Sequence, residues 1–138
     1  MSYLLEGVKP PAAVPGKNQN GKRNHWPPGM VDFVWRDWNG DKPSALCMCC
    51  EKVTIVRYDT KRGWTCGHII SVENGGWHDV MNLRPICGSC NSSMREENMY
   101  DYKLRKYPNT LDSEHQEYIK EDLQTFNMGK KFGATILH

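Results

Sequence analysis

Apolar residues along this chain follow distinct rhythms. Residues 30–38, Met-Val-Asp-Phe-Val-Trp-Arg-Asp-Trp, carry apolar groups at 30, 31, 33, 34, 35 and 38. That spacing predicts a short helix packed on a core, beginning after Pro28-Gly29, with Trp35 and Trp38 three apart on one face. Asn39-Gly40-Asp41 breaks it. Val53–Tyr58 is β-branched and predicts a strand, Asp59–Gly63 a turn, and Trp64–Ile70 the antiparallel partner strand. A loop over 71–83 contains Gly75-Gly76, and Arg84-Pro-Ile86 is a short extended piece. From Gly88 or Ser89 the pattern predicts one helix running towards Tyr107 and stopping before Pro108. Leu111, Tyr118, Ile119, Leu123 and Phe126 then predict a second amphipathic helix, capped by Asp112 or Ser113 and ended by Gly129.

Residues 1–29 lack such a rhythm and hold most of the eight prolines, which predicts an irregular arm. Lys17, Lys22, Arg23 and His25 make it mildly basic, with no acid between them. It is either a solvated tail or an arm lying along a phosphate backbone. Residues 130–138 form a basic, then apolar, tail. The organisation expected is therefore an arm at 1–29, a compact unit at 30–107, and a helix with its tail at 108–138.

Composition narrows the possibilities. A chain of 138 residues favours one domain whose core a metal would help to hold. At 38% hydrophobic and 25% charged it resembles ordinary globular chains, and it has no apolar run long enough to suggest a membrane partner. A net charge of +2 does not by itself argue for nucleic acid. The N-terminus lacks the basic stretch and apolar run of a secretory signal, so a reducing, intracellular setting is expected. There, six cysteines point to metal before disulfides.

Four of them form two Cys-x-x-Cys turns, Cys47/Cys50 and Cys87/Cys90. Each turn aims two thiolates at one point, and two turns close a tetrahedral structural Zn²⁺ shell. Between the pairs lie 36 residues containing both predicted strands. The metal would then clamp the beginning of the hairpin to the start of the helix. Cys49 is a less suitable substitute ligand. Cys66 falls on the same strand face as His68 and reads as a small packing residue, with a second metal as the alternative.

Gly67-His68-Ile-Ile, Gly75-Gly76, Asn82-Leu-Arg-Pro-Ile and Cys87-x-x-Cys90-Asn91 resemble the HNH endonucleases, in particular the small zinc-containing members encoded by phages and large DNA viruses. The resemblance spans roughly residues 45–100 and implies an α+β fold: a ββα-metal core stapled by four cysteines, with an irregular arm and additional helices. It implies DNA as substrate, cut as a single-strand nick or as one half of a cut made by a homodimer. It assigns His68 as the base that takes a proton from water. Asn82 would tie down the loop and help orient His68. Asn91 would be a ligand of a catalytic Mg²⁺ or Mn²⁺. Phosphodiester hydrolysis needs both tasks, an activated water and stabilised charge on the phosphate oxygens.

One position departs from the pattern. Many family members carry a metal-binding aspartate just before the histidine, where this chain has Gly67. Glu73 and Asp79 are the nearest acids that could replace it, although each also reads as a solvated loop acid. Lys61, Arg62, Arg84 and Arg95 are candidate phosphate contacts, and His78 reads as either a loop-packing residue or a phosphate contact. Two other classes stay open: a zinc-stapled DNA-binding module without cleavage, and a zinc-dependent protein-interaction module.

Overall fold

The computed structural model describes residues 7–61, 63–108 and 121. The expected second amphipathic helix with its cap at Asp112 or Ser113, the C-terminal tail and Arg62 lie outside the described residues. In chain order the elements are α1 (Met30–Asn39), β1 (Ser44–Leu46), β2 (Thr54–Val56), β3 (Trp64–His68), β4 (Leu83–Cys87), α2 (Gly88–Met94) and α3 (Met99–Lys106). Short 3₁₀ turns at Val72–Asn74 and Val80–Asn82 shape the loop between β3 and β4.

Helix α1 starts after Gly29, whose φ of 79° favours a residue without a side chain, and it stops at Gly40. Its buried face carries Met30, Val34, Trp35 and Trp38 and packs against β3 and β4. The Trp35 ring lies 5.0 Å from that of Trp64, and its indole N–H donates to the Lys42 carbonyl at 2.9 Å. A large ring can therefore be buried without leaving its polar atom unpaired.

The strands do not pair as the sequence pattern predicts. The segment around Val53–Tyr58 contributes β2, which pairs with β1, Ala45 facing Ile55. Strand β3 pairs instead with β4, from Trp64 opposite Cys87 to His68 opposite Leu83. The turn after β2 returns the chain to β3, but β4 is apolar enough to be buried along its whole length and takes the partner's place. The ββα unit is thus β3, β4 and α2. The β1–β2 ribbon is a separate two-stranded sheet with the first Cys-x-x-Cys in its connection.

The single helix expected over 88–107 is also two. Arg95 ends α2 with φ 53°. Asn98 then turns its side-chain oxygen to the N–H of Ser71 at 2.9 Å, and the N–H of Met99 donates to the Ile69 carbonyl at 2.9 Å. In a continuous helix the Met99 N–H would bond four residues back along its own chain. The break exchanges that bond for one to the β3–β4 loop and lets α3 bury Met99, Tyr100 and Tyr102.

Residues 7–29 lie against this unit with little regular structure. Val14 makes a bridge with His78, Gly16 sits under Val72, and Lys17 pairs with Glu73 at 2.7 Å.

Candidate metal centre and active site

The two Cys-x-x-Cys turns converge. The sulfurs of Cys47, Cys50, Cys87 and Cys90 all lie within 4.8 Å of one another, and all four residues are buried. Cys47 and Cys50 come from the β1–β2 connection, Cys87 from the end of β4, and Cys90 from the first turn of α2. Backbone N–H groups of Cys49, Cys50 and Cys87 point at the Cys47 sulfur at 3.2–3.5 Å, and that of Cys90 at the Cys87 sulfur at 3.5 Å. These donors favour thiolates. A hydrogen bond with Cys90 and burial push the Cys47 thiol the other way, upwards, because negative charge cannot gather there without a cation. The four residues are thus positioned to hold a metal ion, and their donor set suits a closed, soft-ligand shell. Cys49 and Cys66 are buried outside this group, and burial raises the Cys66 thiol.

Glu51, just after the knuckle, has φ 58°, the left-handed conformation that closes such a turn. Lys103 reaches from α3 to the same place. Its ammonium donates to the Met48 carbonyl at 2.6 Å and sits 3.2 Å from a Glu51 carboxylate oxygen. Once a metal held the sulfurs as thiolates, that ammonium would be electrostatically matched to the shell, which would offset the burial that lowers its pKa.

His68 ends β3 and faces a cleft of about 270 Å³ shared with Arg23, Ser71, Glu73, Asn91, Arg95 and Glu96. It is 8% exposed, with the Trp26 ring stacked over it at 5.5 Å and 16°. Its Nε2 lies 3.0 Å from Nδ1 of His78, whose own Nε2 lies 2.8 Å from the Asn24 carbonyl oxygen. Burial first, then His78 and Arg23, push the His68 pKa down to about 3, so the ring is neutral at ordinary pH. Burial likewise lowers that of His78.

Asn82 is fully buried beneath the β3–β4 loop. Its side-chain oxygen accepts from the Ile70 N–H at 2.8 Å, and its amide donates to the Ile70 and Trp77 carbonyls at 3.1 and 3.0 Å. Gly76 makes this closure possible. A side chain there would strike the Ile70 carbonyl and approach Asn82 Nδ2 to 2.9 Å. Asn91, on α2 directly after Cys90, is exposed, so the structure brings His68 and Asn91 to one cleft while Asn82 braces its wall.

Gly67 is explained by direction. A Cβ there would meet the Ile86 side chain and lie 2.8 Å from Met99 Cε. Position 67 therefore points into the core, away from the face that carries His68. Of the two candidate replacements, Glu73 lines the cleft while paired with Lys17. Asp79 instead accepts from the Met81 N–H, capping a 3₁₀ turn, and burial raises its pKa. Glu96 lines the cleft and was not singled out by the sequence pattern. It belongs to the turn that separates α2 from α3, which the prediction of one helix hides. Besides the His68 ring, the cleft's candidate ligand atoms are oxygens, among them those of Glu73, Asn91 and Glu96, a set that suits a hard, well-hydrated cation. Among the described residues the four cysteines are the one metal-ready cluster of three or more His, Cys, Asp or Glu side chains.

The basic candidates separate. Lys61 and Arg95 line one broad groove with Asn91, Ser89 and Ser92. Arg23, from the arm, joins His68 and Asn91. Arg84 is elsewhere and 4% exposed, its guanidinium stacked 4.4 Å from the Trp38 ring and bonded to the Met81 and Leu83 carbonyls. That is a packing arrangement, with no face for a phosphate.

A β-hairpin leading into a helix, with a histidine on the first strand and a thiolate staple at the helix start, defines the ββα-metal class. Residues 47–97 match the HNH endonuclease family model. No curated protein and no solved structure matches the chain. No helix among the described residues is long and apolar enough to cross a membrane.

Proposed function

We propose that this protein is a metal-dependent endonuclease that hydrolyses DNA phosphodiester bonds. The observation that carries the reading is the meeting of His68 and Asn91 in one cleft, beside the groove that holds Lys61 and Arg95. His68, neutral and fixed, accepts the proton of the attacking water. Asn91, with Glu73 or Glu96, offers oxygen ligands for Mg²⁺ or Mn²⁺, which when bound would stabilise charge on the phosphate and the departing 3′ oxygen. Arg23, Lys61 and Arg95 lie where they would pair with backbone phosphates, an attraction that weakens as salt rises. Zn²⁺ in the four-cysteine shell has no open position and serves only the fold.

Supercoiled plasmid tests this reading with protein loaded with zinc and then given Mg²⁺, Mn²⁺ or neither. Nicking is expected only with added cation, and His68→Ala is expected to lower it by about 10²–10⁴-fold, the usual contribution of a general base. A second reading, a DNA-binding module without cleavage, draws on the direction of position 67 and on the pairing of two cleft acids with bases, Glu73 with Lys17 and Glu97 with Arg105. DNA binding at low salt, with no nicking under any cation, would select it.

A further inference from the structure

The two buried histidines and the arm form one hydrogen-bonded line. Its first acceptor is the carbonyl oxygen of Asn24, 2.8 Å from Nε2 of His78. A carbonyl can only accept, so that nitrogen carries a hydrogen. In a neutral ring the other nitrogen, Nδ1, is then a bare acceptor. It faces Nε2 of His68 at 3.0 Å, which must be the donor. His68, also neutral, is left with its lone pair on Nδ1.

We propose that His78, held by the Asn24 carbonyl, is a positioning residue that fixes His68 with Nε2 protonated and Nδ1 ready to take a proton. This rests on the endonuclease reading for its role in a reaction, but the proton placement stands independently of it. When Nδ1 takes a proton from water, the imidazolium keeps its Nε2–H bond to His78, so the ring does not turn. Trp26 lies over both rings, 5.5 Å from His68 and 4.4 Å from His78. Its π face lies against the charge that forms. The arm therefore completes the active site from outside the 47–97 match.

This arrangement gives His78 a function different from packing, because packing alone is indifferent to which nitrogen bears the hydrogen. Phenylalanine at 78 would fill the space and remove the acceptor. Glutamine would keep an acceptor in its side-chain oxygen. The experiment is ¹⁵N-histidine NMR on the full, zinc-loaded chain without DNA, paired with nicking kinetics. Wild type is expected to show the Nε2–H form at both His68 and His78. His78→Phe is expected to lose the single His68 form and to lower kcat by about 10–100-fold with KM little changed, the usual effect of removing an orienting partner. His78→Gln is expected to retain both the His68 form and most of the rate. An Nδ1–H form of His68 in wild type would overturn the proposal, as would a His78→Phe variant with unchanged His68 spectrum and kcat. Should His78→Phe fail to fold, the wild-type spectrum and His78→Gln decide. A chain that cuts no DNA refutes the endonuclease reading, while the spectra still decide the proton placement.

Discussion

Position 67 shows how much one side-chain direction matters. On the strand His68 turns to the cleft and Gly67 to the core, where Ile86 and Met99 leave no room for a Cβ. Restoring the family's aspartate should therefore fail as a gain of function. Gly67→Asp is expected to cost about 3 kcal/mol or more, since a carboxylate would be buried without a partner. Urea unfolding would measure the loss, and the plasmid assay should show no rise in activity. A stable and more active variant would mean that the strand can rotate its 67 side chain into the cleft. Asn82 and Arg84 make the complementary point. Both are polar and buried, and each satisfies carbonyls of the surrounding loop, but only Asn82 braces the wall of the cleft that holds His68.

The elements that surprise are those whose partners lie far away in sequence. The hairpin expected between Val53–Tyr58 and Trp64–Ile70 relies on a short turn. The observed pairing of β3 with β4 relies on a buried strand beyond a loop. The split between α2 and α3 likewise has no strong local signal, because Arg95-Glu96-Glu97 are good helix formers. It is held by Asn98, which serves the Ser71 N–H and the Asn74 side chain at once. Asn98→Ala is expected to destabilise the chain by about 1–2 kcal/mol and to loosen the loop over 69–74. Hydrogen exchange at Ser71 and Asn74 would report it. Protection unchanged from wild type would show that the Met99 bond to Ile69 suffices alone.

At the scale of the whole molecule, two terms are expected to set stability, metal and protons. The thiolate shell joins the β1–β2 ribbon, β4 and α2, and Lys103 ties α3 to the same knuckle. Removing the metal, or Cys87→Ser, is expected to unfold most of the described residues rather than only the knuckle. Circular dichroism with metal analysis should find about one zinc per folded chain, by the stoichiometry of a four-thiolate site. Native-like spectra after chelation would refute this. Protons act through His68. Its pKa is depressed to about 3, while an unfolded imidazole titrates near ~6.5. Between these values the unfolded chain binds the extra proton, so stability is full above ~6.5 and is lost as pH falls through that window. Burial of His78 adds a shift of the same sign. Thermal melts of the zinc-loaded protein should show Tm falling from pH 7 towards 5, with a shallower fall in His68→Ala.

The sequence alone was enough to single out the four clustered cysteines, the helix α1, and His68 and Asn91 among the residues that line the cleft. Those features rest on local geometry: a two-residue gap between cysteines, a helical rhythm at 30–38, a histidine near a strand end and an asparagine just after a cysteine on a helix. Tertiary structure alone decided which strands pair, where the long helix breaks, which way position 67 points, why Arg84 is buried, and how the arm meets His78 and His68. Each of these depends on contacts between groups distant along the chain, where burial of a strand or satisfaction of a buried carbonyl outweighs the local preference of the residues involved.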